Sequence, residues 1–122
     1  METFLKRNAE YLEKKAREAL DEGAYGFVLF FAEQALQLRI KYILAKRIGD
    51  YPKAHRFSVL FEALGKIYGD ALEFYERNIE LFELLEDAYI TVRYLGRDYS
   101  RLAAEKALSL LDAFKEEFRD EF

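Results

Sequence analysis

The chain has one histidine, His55, and no cysteine. A lone imidazole can move a proton near neutral pH, but a thiol nucleophile is excluded, as are the zinc sites built from several His and Cys ligands. No metal is therefore expected. Carboxylates at helical spacing, Glu73, Glu76, Glu80, Glu83 and Asp87, read as a solvated stripe. The six glycines match neither the P-loop nor the dinucleotide fingerprint, and Ser58, Ser100 and Ser109 lie in no nucleophile elbow, so no cofactor is expected.

Cations are what remain. Residues 39–56 carry Arg39, Lys41, Lys46, Arg47, Lys53 and Arg56 against Asp50 alone, a net +5 with His55 neutral, whereas residues 62–90 carry a net −6 within a total of −4. Guanidinium and ammonium groups clustered in this way can hold a phosphate. Cations at helix C-termini also complement the macrodipole by a few tenths to about 1 kcal/mol with no ligand, and the two readings stand side by side. Four polar residues are conspicuous by context: Gln34 and Lys41 on an otherwise apolar stretch, His55 after the single proline turn, and Arg93 after Ile90 and Val92.

These residues need helices to place them. Phe27 to Arg47 is apolar nearly all round, leaving Glu33, Gln37 and Lys41 as a thin polar stripe, and such a helix belongs inside a bundle. Before it, Leu5, Ala9, Leu12, Ala16 and Leu20 share one face of a helix over 3–22, with Thr3 as candidate N-cap and Gly23 as terminator. After it, residues 50–55 form the connection containing Pro52. A short helix is predicted over 56–67, a long one over 70–94, and a last one, capped by Asp98 or Ser100, running to the C-terminus. The expected fold class is therefore all-α: one domain over residues 1–122, an up-and-down bundle of about five helices, four long and one short. If these helices alternate in direction, those over 27–47 and 70–94 are parallel, and Arg93, Arg97 and Arg101 approach Lys46, Arg47, Lys53 and His55.

With 122 residues, 52% hydrophobic and including 20 Phe and Tyr, the chain can fill a real core. The longest uncharged run, residues 23–32, is 10 residues against the roughly 20 needed to span a bilayer. Neither membrane insertion nor a signal peptide is expected, and the absence of cysteine points to a cytoplasmic location. Few Asn and Gln beside many Glu, Lys and Arg is a bias of proteins from hot environments, so a thermophile source fits.

Three pieces together resemble the HEPN family: Tyr25 with the run Ala32 to Leu44; Tyr51-Pro52-Lys53-Ala54-His55; and Tyr89 with Val92-Arg93-Tyr94. The resemblance covers most of the length. It implies a helical bundle that forms a homodimer and works with nucleotides or RNA, often beside a minimal nucleotidyltransferase as a toxin and antitoxin pair. Catalytic members of the family are metal-independent ribonucleases with an Arg followed, after four to six residues, by a His. This chain departs from that motif. Past Arg93 stand Asp98, Tyr99 and Ser100, and Arg47 precedes His55 by seven intervening residues. The resemblance therefore implies nucleotide or RNA phosphate binding by Gln34, Lys41, Lys46, Arg47, Lys53, His55, Arg93 and Arg97. Ribonuclease catalysis by His55 with Arg93, and a non-catalytic dimeric interaction module, are the alternatives.

Overall fold

Helix α2 (Tyr25–Ile48) is the axis of the molecule, and in the computed structural model, which describes residues 2–122, all but one of the other helices pack directly against it. Val28, Leu29, Ala32, Ala35, Leu36, Ile40, Ile43 and Leu44 are all fully buried along its length, as expected of a helix apolar nearly all round. Gly49, left-handed at φ 80°, ends it by returning its N–H to the Ala45 carbonyl. The remaining helices are α1 (Glu2–Asp21), α3 (Phe57–Gly65), α4 (Ala71–Arg77), α5 (Ile79–Tyr94) and α6 (Arg101–Glu117), followed by a 3-10 turn, Arg119–Glu121. Phe57, Phe61, Phe74, Phe82 and Phe114 interlock from four of these helices into one aromatic core.

The all-α class holds, with six α-helices where about five were expected. The expected helix over 70–94 breaks at Asn78. That side chain donates to the Phe74 carbonyl at 2.9 Å and the backbone turns to φ −116°, ψ 21°. Asparagine competes in this way with the helical ladder, and the break lets Phe74 and Phe82 both reach Phe61. At the N-terminus Thr3 lies inside α1 rather than capping it, whereas Ser100 does cap α6, accepting the Ala103 N–H at 3.1 Å.

Helix direction corrects the expected cation cluster. After Gly49 the chain does not turn straight into the next helix. Residues 50–56 run back along α2 until the His55 carbonyl meets Gln37, and α3 then proceeds parallel to α2, so that Tyr68 just beyond it reaches Arg47. This doubling back inverts the parity of everything downstream, and α5 packs antiparallel to α2, with Phe30 on Tyr89 and Gly26 against Val92. A Cβ at Gly26 would stand 3.1 Å from Val92 and 3.3 Å from the Arg97 carbonyl, so glycine permits this close crossing. Arg93 and Arg97 consequently lie at the N-terminal end of α2. Lys46 and Arg47 lie at the other end, about 30 Å away at 1.5 Å per residue.

Candidate functional site

One polar and aromatic surface is built where residues 51–55 and α5 meet over α2, the His55 ring lying on Tyr89. Helical spacing puts Phe30, Gln34, Gln37 and Lys41 on one side of α2. Tyr89 of α5 stacks with Phe30 at 5.7 Å between centroids and with the His55 ring at 5.4 Å. Arg93, one turn on, donates to the Tyr89 hydroxyl at 3.0 Å and covers the Tyr89 and Tyr94 rings at 5.2 and 4.8 Å. Further along, the ammonium groups of Lys41 and Lys53 lie 5.6 and 5.2 Å from the centre of the Tyr51 ring. Aromatic faces thus carry these cations, and among the described residues none of the three forms an ion pair within 4 Å, Arg93 with neither Asp87 nor Asp98.

Beneath this surface lies a carboxylate that sequence reasoning left in the polar stripe. Glu33 is 1% exposed and Gln37 is 3% exposed. Glu33 accepts the Gln34 amide at 2.8 Å and the Gln37 amide at 3.1 Å, and Gln37 also donates to the His55 carbonyl. Burial raises the Glu33 carboxyl to about 7 against those amide donors, with Glu86 raising it further and Lys41 opposing. Burial also lowers Lys41, which Glu33 counteracts and Lys53 reinforces. Glu86 itself accepts the Phe57 N–H at 2.8 Å and so starts α3.

The expected site residues therefore divide. Gln34, Lys41, Lys53, His55 and Arg93 belong to this surface, Gln34 with its amide committed to Glu33. Arg97 lies on the connection between α5 and α6, its guanidinium 4.9 Å from the Tyr99 ring centre. Lys46 and Arg47 close on Glu121 instead: Arg47 reaches its carboxylate at 2.6 and 2.9 Å, Lys46 at 3.2 Å, and the Tyr68 hydroxyl donates to it as well. Those hydrogen bonds, Arg47 first, pull the Glu121 carboxyl down to about 2. The group's stability is fully present above its ordinary 4.5 and is lost as pH falls towards 2. Glu121→Gln is expected to cost about 1–2 kcal/mol at pH 7 in urea unfolding, a modest figure because Arg47 is half in water, and nothing at pH 2. An equal cost at both pH values would refute the ion pairing.

Glu33, Tyr51, Tyr89 and Glu121 were missed as contributors to these arrangements. A carboxylate one turn before Gln37 on an apolar helix was the available signal for Glu33. Nothing local marked Glu121, 74 residues from Arg47 in sequence.

A family model for the HEPN domain matches residues 3–120, and the chain belongs to that family. Comparison with curated proteins and with solved structures gives no significant match. Among the described residues no helix is long and apolar enough to cross a membrane.

Proposed function

We propose that this protein binds a nucleotide or single-stranded RNA on the surface where residues 51–55 and α5 meet over α2, with the phosphates taken by Arg93, Lys41 and Lys53 and a base stacked against the exposed aromatic surface of Tyr94 and His55. The observation that carries this reading is Tyr89, on which His55 and Arg93 both rest without a neutralising carboxylate. Exposed cations interleaved with aromatic rings suit a ligand that alternates phosphate and base. Lys46, Arg47 and Arg97 are second-rank contributors, since Glu121 holds the first two and the Tyr99 ring carries the third. A homodimer, and a minimal nucleotidyltransferase as partner in a toxin and antitoxin module of the cytoplasm, complete the proposal and rest on family membership.

Fluorescence anisotropy with labelled ATP and a short labelled RNA over a salt series tests it. Tyr94→Ala is expected to weaken RNA binding by about 5- to 150-fold, the value of one base stack. Lys53→Ala is expected to flatten the slope of log affinity against log salt by about 0.7. Absence of salt-dependent binding, with or without the partner, would sink the reading.

A ribonuclease is the second reading, favoured by the convergence of His55 and Arg93 on one ring. An imidazole to activate the 2′-hydroxyl beside a guanidinium to stabilise the phosphorane is a sufficient pair for metal-independent cleavage. Undiminished RNA cleavage by His55→Ala would remove His55 from any such mechanism.

A further inference from the structure

Gln37 is the polar bridge between α2 and the segment that carries His55. Its Nε2 serves two acceptors, Glu33 Oε2 at 3.1 Å and the His55 carbonyl, while its Oε1 is buried with no hydrogen-bond partner. An orphaned buried amide oxygen is costly. Glu33, at 1% exposure, is approached only by amide donors and makes no ion pair among the described residues. The charged groups acting on it are Lys41 on its own helix and Glu86 from α5; from residues 50–56, Lys53 acts on Lys41 and His55 meets Gln37 through its carbonyl, while Lys41 is drawn to Tyr51 and Glu86 to the Phe57 N–H.

One protonation state leaves Oε1 orphaned and the other need not. An ionised Glu33 can only accept, so it holds Gln37 with Nε2 inward and Oε1 unused. A protonated Glu33 has an O–H to donate, and a turn of the Gln37 amide would offer it Oε1. The same turn takes Nε2 away from the His55 carbonyl.

We propose that Glu33 and Gln37 form a proton-operated latch that positions His55: ionised Glu33 keeps Gln37 bonded to the His55 carbonyl and the imidazole against Tyr89, and protonated Glu33 turns the amide and releases both. Glu33 and Gln37 are positioning residues that act through His55. The latch rests on the surface over α2 being the ligand site for its functional meaning, since it would hold His55 on Tyr89 in alkaline solution and release it in mild acid. Burial places the Glu33 carboxyl at about 7, so both states are populated near neutrality.

The test needs no ligand, which separates it from the binding proposal. In isotopically labelled protein, the 13C shift of the residue 55 carbonyl and the Gln37 side-chain amide signals are followed by NMR from pH 5 to 9. His55→Ala removes the imidazole while keeping the carbonyl. The expected result in that variant is one common midpoint near 7 for both signals, abolished by Glu33→Gln. A residue 55 carbonyl that does not titrate in His55→Ala overturns the latch, and so does a titration that survives in Glu33→Gln. Should Glu33→Gln fail to fold, the His55→Ala titration alone decides. Loss of RNA binding with an intact titration would remove the ligand and leave the latch.

Discussion

Glu13→Ala is expected to destabilise the protein by about 3–5 kcal/mol, the cost of leaving a buried charge without its partner. Glu13 and Arg39 are 6% and 3% exposed, and Arg39 Nε meets Glu13 Oε2 at 2.5 Å while Lys115 Nζ meets the other oxygen at 2.8 Å. The Arg39 guanidinium also covers the Phe122 ring at 4.5 Å, and Phe122 stacks on Tyr42. One carboxylate thus ties α1, α2 and α6 and seats the C-terminal residue. Removing it strands a guanidinium that cannot deprotonate, and for a domain with a total stability of about 5–15 kcal/mol the loss is about a fifth or more. The double variant Glu13→Leu with Arg39→Met is expected to return close to wild type, because apolar replacements of similar volume escape the desolvation cost. Urea unfolding of the wild type, Glu13→Leu, Arg39→Met and the double variant gives the coupling energy. Additive single costs, or a Glu13→Ala cost below about 1 kcal/mol, would show that the pair is not coupled as described.

Glu33→Gln is expected to act in the opposite sense, raising stability at pH 8 by about 3 kcal/mol. Folding lifts the Glu33 carboxyl from 4.5 to about 7, burial being the largest cause. The folded state therefore holds the proton more tightly than the unfolded chain. This group's contribution is fully present below pH 4.5 and is lost as pH rises through 7. The wild type should weaken across that window and the variant should not. Glu121 works in a separate window, between 4.5 and 2, with the other sign, so unfolding measured at pH 8, 4.5 and 2 separates the two. A wild type whose stability is flat between pH 4.5 and 8 would show that Glu33 keeps an ordinary carboxylate affinity for protons. The latch and this stability change share one residue but not one readout, since stability reports the proton and NMR reports the amide.

Both effects come from residues that local pattern mis-sorts. On α1 the expected face holds: Leu5, Ala9 and Ala16 are buried and Leu12 and Leu20 pack partly buried against the core. The same face also buries Glu13, which no apolar period marks and which meets Arg39. On α2 the stripe of Glu33, Gln37 and Lys41 was legible as a stripe. Whether it faced water or another helix was not, because hydrophobic period marks the apolar face and is silent on what covers the rest.

The sequence by itself determined that the chain is helical, that residues 27–47 form its core helix, that helices end at Gly23 and Gly49, that Ser100 is a suitable cap, and that the family is HEPN. These follow from period, capping chemistry and short matched runs, all properties of neighbours along the chain. The tertiary structure alone decided which cations meet. Residues 50–56 double back along α2 and reverse the parity of α3 to α6, so Lys46 and Arg47 find Glu121 while Arg93 joins His55 on Tyr89. A seven-residue connection has no periodicity to read. Its path is set by where the His55 carbonyl finds a donor and where Phe57 finds the aromatic core, contacts made only once the bundle has formed.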